Sequence, residues 1–452
     1  MPLHANWANN MKTPICDFVK GYANSNALKL HMPGHKGKDI LGFEGLDITE
    51  IDGADSLYEA SGIIAASEKN ASELFDCDTY YSTEGSSQCI RAIMHLVSLH
   101  AKSMGEKTYV LAGRNAHKTF HSAVALLDID VDWIYPSEAE NYLSCNITAD
   151  KLSNILKNMD RKPTAVYLTS PDYLGNVLDI ESISSVCHQN EILLVVDNAH
   201  GAYLRFLTSS KHPIDLGADI CCDSAHKTLP VLTGGAYLHL SKRFADEFGT
   251  QVKNALSLFG STSPSYLILQ SLDMANSYLE NYADRLAKFV AQVDALKNQL
   301  NDNGYELYGN EALKITIQTK KYGYYGYDFA RILNEKGIVC EFADPDFIVL
   351  MLTPEIEDLD RVADILISIP KTKEINDIVP KFNVAKRGAS IREAVLSPFE
   401  LVSIDECIGR VVAITSVGCP PAVPIAVAGE VIDENIVNCF KYYGIDKCNV
   451  IK

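Results

Sequence analysis

Lys227 lies in Asp219-Ile-Cys-Cys-Asp-Ser-Ala-His-Lys-Thr-Leu-Pro-Val-Leu-Thr-Gly-Gly235, where an apolar run leads out into Ser224, Ala225 and His226. In an open α/β sheet, ligands bind outside the carboxyl ends of the strands. A lysine there can form a Schiff base with an aldehyde cofactor. Upstream, the apolar run 192–196 ends in Asp197-Asn-Ala-His-Gly-Ala-Tyr203. An acid at the end of a buried strand can pair with a protonated pyridine nitrogen. Taken singly, Lys227 reads as a solvated lysine and Asp197 as a helix cap. Together, at successive strand ends, they are the two protein groups that pyridoxal phosphate demands. A third segment, Tyr80-Tyr-Ser-Thr-Glu-Gly-Ser-Ser-Gln-Cys89, sets Gly85, Ser86 and Ser87 before a helix spaced through Ile90, Ile93, Met94 and Val97. Backbone N–H groups at such a helix start bind phosphate.

Arg114-Asn-Ala-His-Lys-Thr-Phe-His121 follows another apolar run, and His117 could lie flat on an aromatic cofactor. His117 and His121 also have the i, i+4 spacing of helical metal ligands. No third ligand accompanies them, and Pro33-Gly34 breaks the helix that a His31–His35 pair would need, so no metal is expected.

These residues need a scaffold. Apolar runs over 108–112, 131–135, 164–169, 192–196, 219–222 and 236–240 read as strands, several of them covered on both faces. Helical stretches opening at Thr148 and covering 180–190 alternate with them. That alternation predicts a largely parallel sheet with helices on both faces. A long helix is expected over 265–301, stopped by Gly304. Strands over 312–318 and 347–352 and a helix around 327–335 then form a smaller α+β domain. The polar stretch 371–387 reads as a connection. The expected division is an N-terminal segment 1–65, a cofactor-binding large domain 66–302, a small domain 303–375 and a C-terminal domain 376–452.

A chain of 452 residues can bury a large core without staples. Its net charge is −18, from 40 Lys and Arg against 58 Asp and Glu. That surface repels nucleic-acid phosphates and is compatible with a cationic small molecule. The longest apolar runs fall far short of the ~18 residues of a membrane helix. No signal peptide is seen at the N-terminus, and the twelve cysteines form no C-x-x-C pair. A cytoplasmic protein with reduced thiols is the expectation.

Taken together, the segments resemble the ornithine/lysine/arginine decarboxylases of the aspartate-aminotransferase fold, over nearly the whole chain. The resemblance begins at Leu30-His-Met-Pro-Gly-His-Lys36. It runs through Glu50-Ile-Asp-Gly-Ala-Asp-Ser-Leu57, Gly85-Ser-Ser87, Arg114–Lys118, Ser170-Pro-Asp-Tyr-Leu-Gly175, Asp197–Tyr203, Ser224–Lys227 and Ser261-Thr-Ser-Pro-Ser-Tyr266. It ends in Pro420-Pro-Ala-Val-Pro424 and Gly429-Glu430. It implies an α/β fold, the pyridoxal-phosphate type I fold, with a mostly parallel seven-stranded sheet in the large domain and smaller α+β domains after it. It also implies a role for each matching position. Lys227 would carry the cofactor, Asp197 would pair with its ring nitrogen, His117 would stack on the ring and His200 would lie near the ring hydroxyl. Gly85, Ser86, Ser87, Ser224 and His226 would hold the phosphate. Thr262, with Ser261, would reach the cofactor of a neighbouring subunit, which implies a homodimer or higher homo-oligomer. Glu430 is the candidate for the cationic end of the substrate. The family's large members add an N-terminal wing domain, for which this length leaves no room.

The expected activity is decarboxylation of arginine, lysine or ornithine. Another pyridoxal-phosphate reaction, such as transamination or side-chain cleavage, is the alternative, and a non-catalytic cofactor-binding subunit is a further one. The chain departs from the family pattern at Tyr58, where a histidine is common, and at Glu84, in place of Asn before the phosphate-loop glycine. It departs again at Asn198 and Tyr203 within the family's D-E-A-H-G-A-H, and at Val417-Gly-Cys-Pro-Pro-Ala422. A negative charge at Glu84 is unfavourable beside a phosphate unless the side chain turns away.

Overall fold

The aliphatic and aromatic runs that flank the chemistry form strands because their side chains are buried on both faces. A computed structural model describes residues 11–137, 141–380, 383–414 and 423–452. The central sheet has seven strands: β1 (Asp78–Ser82), β2 (Tyr109–Gly113), β3 (Asp130–Ile134), β4 (Ala165–Thr169), β5 (Leu193–Asp197), β6 (Ile220–Asp223) and β7 (Ala236–Leu240). Their order is β1-β7-β6-β5-β4-β2-β3. The pairs β2/β3, β2/β4 and β5/β6 are parallel, while β7 runs antiparallel to both β1 and β6. Every residue of β2, β5 and β7 is buried, which explains their nearly unbroken apolar sequences. The sheet is therefore mostly parallel, as the strand–helix alternation predicts.

The strand missing from the sequence reading is β1. Its sequence, Asp-Thr-Tyr-Tyr-Ser, is polar, yet Tyr81 is wholly buried. The ring packs in the core while its hydroxyl is held by Ser67 and by the amide of Asn276. A tyrosine whose hydroxyl is satisfied serves as a core residue. The stretch expected as one long helix is two, Tyr266–Leu279 and Tyr282–Asp302, divided at Glu280 and Asn281. Ser265 caps the first, its hydroxyl accepting the Ile268 N–H. Thr148 and Asp179 cap helices Ala149–Lys157 and Ile180–Gln189 in the same way.

The chain divides into two compact units, Met1–Leu96 with Leu194–Leu286, and Val97–Leu193 with Ala287–Lys452. Within the second lie two antiparallel sheets. One is four-stranded, in the order Phe342–Ala343, Phe347–Met351, Lys314–Gln318, Leu307–Tyr308. The other is three-stranded, Phe399–Ser403, Lys447–Ile451, Val412–Ile414. Eleven cysteines fall among the described residues, all free thiols and all but Cys340 buried. Among the described residues no helix is long and apolar enough to cross a membrane.

Candidate active site

Parallel pairing of β5 with β6 sets Asp197 opposite Cys222, so the two strands deliver their following turns to the same edge. Asp197 is the last residue of β5 and is 2% exposed. Its carboxylate accepts the Ala199 N–H at 3.2 Å. The turn continues to His200, whose Nε2 lies 3.0 Å from the Lys227 amine. Lys227 sits on the single helical turn Ala225–Thr228, directly after β6 and Ser224. Strand ends therefore place the acid, the imidazole and the lysine at one edge, within the first unit.

The helix Gly85–Ser103 begins at the same place. Gly85 has φ +74°, a left-handed conformation, and no heavy atom lies within 4 Å of where a Cβ would stand. Its N–H donates to the Gly234 carbonyl at 2.7 Å, tying the helix start to the loop before β7. The Ser224 hydroxyl donates to that of Ser86 at 2.8 Å, so the helix start and the lysine turn meet directly. His226 shares a hydrogen bond with the Gly235 carbonyl at 2.9 Å. Burial lowers its pKa, so its imidazole is neutral near pH 7.

These residues fit pyridoxal phosphate. A buried carboxylate, a lysine within hydrogen-bond distance of an imidazole, and two serine hydroxyls at a glycine-started helix N-terminus match its pyridine nitrogen, aldehyde and phosphate in turn. Open space over Gly85 is what close approach of a phosphate requires.

Glu84 has a partner outside the helix start. Its carboxylate accepts the Ser261 N–H. Tyr58 converges on the same turn: its hydroxyl accepts from the Gln88 amide at 2.7 Å. A Cβ at Gly260 would stand 1.9 Å from that hydroxyl and 2.1 Å from the Gln88 amide nitrogen, so only glycine fits. Two departures from the family pattern thus grip one turn, and Thr262 is exposed just beyond it. Tyr203 is fully buried. The departure at 417–422, with Pro420 and Pro421, lies outside the described residues.

His117 and Glu430 belong to the second unit. His117 caps helix Lys118–Leu127, its Nδ1 accepting the Thr119 N–H at 3.2 Å, which leaves the ring proton on Nε2. His121 is buried beside it, shares a hydrogen bond with the Ala116 carbonyl, and has its pKa pushed down to about 3 by burial. Glu430 is engaged within its own chain. Its carboxylate is 7% exposed and already paired: it accepts from the Arg114 guanidinium at 2.9 and 3.3 Å and from the Val427 N–H at 2.7 Å. Arg114 in turn donates to the carbonyls of Pro424 and Ile425. The Glu430 carboxylate is thus paired with a cation of its own chain.

Two features escaped the sequence. Arg114 stands in the sequence only as part of a motif, because its partner lies 316 residues away. A buried cluster of Asp223, His212 and His239 was missed because no spacing marks it. Asp223 was visible only as the residue before Ser224.

The profile of the Orn/Lys/Arg decarboxylase major domain matches residues 13–316, and that of the Orn/Lys/Arg decarboxylase C-terminal domain matches residues 372–445. The uncharacterized protein YaaO of Bacillus subtilis (strain 168) is 28% identical over 464 residues, covering 94% of this chain and 93% of that protein. An arginine decarboxylase of the same strain is 28% identical over 471 residues, with coverage of 95% and 93%. Among solved structures, the lysine decarboxylase of Francisella novicida superposes with a TM-score of 0.75 at 16% identity, covering 98% of this chain and 82% of that one. The strand-end acid and lysine, the glycine-started helix and a profile match over most of the length lead to one assignment: the chain belongs to the Orn/Lys/Arg decarboxylase family and is an amino-acid decarboxylase.

Proposed function

We propose that the protein decarboxylates a basic amino acid, arginine ahead of lysine and ornithine, releasing CO₂ and the corresponding amine. The observation that carries the reading is the contact between Lys227 and His200, in the turn that begins with Asp197. When bound, pyridoxal phosphate supplies the electron sink for the breaking bond. The protein's task is then to hold and to choose. Lys227 is the covalent anchor, and its amine must lose a proton before it can attack. His200 Nε2, 3.0 Å away, is placed to take that proton. Asp197, buried at the end of β5, would favour a proton on the pyridine nitrogen, because a buried carboxylate strongly favours a cation beside it. Ser86, Ser87 and Ser224, with the helix start, would hold the phosphate.

The substrate class rests on two supports, relatives named arginine decarboxylase and the acidic surface that draws cations. Glu430 is not proposed as the ligand of the substrate's cation. The deciding experiment measures CO₂ released from arginine, lysine, ornithine, leucine and glutamate by the cofactor-loaded protein. Release from one or more of the first three is expected. Release only from leucine or glutamate, or transamination without CO₂, overturns the reading.

We also propose that the working unit is a homodimer with shared sites. Leu28 and Leu30 are 87% and 90% exposed and stand with exposed Met32, Ile40, Leu41 and Phe43 in one stretch of the first unit. Apolar groups so concentrated favour burial against another surface. The exposed Thr262 would reach the second copy's cofactor. Chains carrying Lys227→Ala are mixed with chains inactivated by Thr262→Glu. Mixed dimers are expected to regain one working site. Mixed dimers that form and stay inactive would exclude shared sites.

A further inference from the structure

Behind the strand ends lies a set of side chains that the proposed reaction does not use. Asp223 ends β6, His239 lies in β7, and His212 lies in the connection leading to β6. All three are 0% exposed, as is Asn198. Asp223 Oδ2 accepts from Nε2 of His212 and from Nε2 of His239, each at 3.1 Å. Its Oδ1 accepts the Asn198 amide at 2.6 Å. His239 Nδ1 accepts in turn from the Thr79 hydroxyl at 3.0 Å. Two imidazoles and a carboxylate can also hold a divalent metal. Here both imidazoles already spend an N–H on the one oxygen. No group of the cluster meets solvent, which leaves neither a fourth ligand position for water nor an entry path. Hydrogen bonds to Asp223 hold His212, His239 and Asn198, while His212 Nδ1 and Asn198 Oδ1 are buried without a hydrogen-bond partner among the described residues.

The cluster has a place in the architecture of the site. Asn198 follows Asp197 directly, and its N–H donates to the Cys222 carbonyl at 3.0 Å. The Gly201 N–H closes the turn onto the Asn198 carbonyl at 2.7 Å. Asn198 Oδ1 stands 2.0 Å from where a Cβ at Gly201 would be, so the turn closes only over glycine. On the other side, Asp223 leads immediately into Ser224 and Lys227. The amide-to-carboxylate bond is thus a second, fully buried side-chain link, besides the contact of His200 with Lys227, between the turn that carries Asp197 and His200 and the turn that carries Lys227.

We propose that Asp223 is a positioning residue that clamps these two turns together, with Asn198 as the donor its buried carboxylate requires. The inference rests on the reading of Asp197 and Lys227 as cofactor anchors. It explains the departure at position 198. The glutamate of the family pattern would face Asp223 with a second carboxylate in a fully buried site, where like charges at hydrogen-bond distance repel strongly. An amide at 198 and an acid at 223 are complementary, and neither can be changed alone.

Three variants test this: Asn198→Asp, Asp223→Asn, and the two combined, which exchanges acid and amide in place. In the exchange, the amide at 223 donates to the new acid while its oxygen still accepts from both histidines. Each is measured for the melting temperature of the cofactor-free protein, for pyridoxal phosphate affinity, and for kcat and KM. Each single change is expected to lower the melting temperature and to weaken cofactor binding by about tenfold or more, the scale of one charged hydrogen bond. In the single variants kcat falls while KM for the amino acid holds, because the clamp positions cofactor and not substrate. The exchange is expected to restore melting and cofactor affinity. Single variants that bind cofactor like the parent overturn the clamp, as does an exchange no better than either single change. If the single variants fail to fold, the exchange decides alone: folded and cofactor-binding supports the clamp, unfolded overturns it. One equivalent of metal in the parent, lost in His212→Ala, also overturns it. Absence of CO₂ release from basic amino acids would sink the proposed function and leave these melting and affinity readouts intact.

Discussion

Lys227→Ala is expected to yield a folded protein with no measurable turnover and no covalently held cofactor. Parent protein treated with borohydride should carry the reduced cofactor on the peptide containing Lys227. The expectation is sharp because the residue is confined: it lies on a single helical turn between Ser224 and Leu229, with its amine 3.0 Å from His200. Arginine at this position would keep a positive charge and remove the nucleophile, since a guanidinium keeps its proton at any working pH. Lys227→Arg should therefore be as inactive as Lys227→Ala. A reduced adduct mapped to another lysine, or turnover in either variant, would refute the assignment.

The second large effect concerns stability. Glu430→Ala strands the Arg114 guanidinium, 2% exposed, without its carboxylate. Breaking a buried ion pair from one side costs about 3–5 kcal/mol, because the remaining charge stays desolvated. The denaturation midpoint of Glu430→Ala should fall accordingly, and Arg114→Ala should do the same. The paired change Arg114→Met with Glu430→Leu should recover much of the loss, since it removes both charges together. A substrate-contact role for Glu430 gives the opposite pattern: stability kept within about 1 kcal/mol and a raised KM for arginine. The buried pairing with Arg114 favours the stability result.

The sequence and the structure agree best where chemistry is local. The positions of Asp197 and Lys227 are legible because the first ends an apolar strand and the second follows one within a single turn, and a strand end is marked by the sequence around it. Gly85 is legible as the first of three small residues before a helix, and its left-handed conformation is seen only in the structure. Legibility failed where a residue's role depends on a partner distant along the chain. Glu430 looked like a free acid because Arg114 is 316 positions away. The direction of Glu84 could not be read, because its acceptor role depends on the fold bringing the Ser261 N–H beside it. β1 hid behind hydroxyls that turn out to be satisfied inside the core. Asn198 was visible as a departure and unexplained until Asp223 stood 2.6 Å from it.

The contact between Arg114 and Glu430 bears on how this gene can be recombined. The two profile matches, residues 13–316 and 372–445, invite treatment as interchangeable cassettes. Arg114 lies in the first and donates to Pro424, Ile425 and Glu430 in the second. A chimera that takes its last stretch from a relative inherits a guanidinium whose carboxylate and two carbonyls must be supplied by the donor sequence. Crossovers that separate the two positions without matching them would be purged at the folding step, before any substrate is tested. The unit of inheritance is the pair, so a shuffled library has to be built with positions 114 and 430 moved as one block.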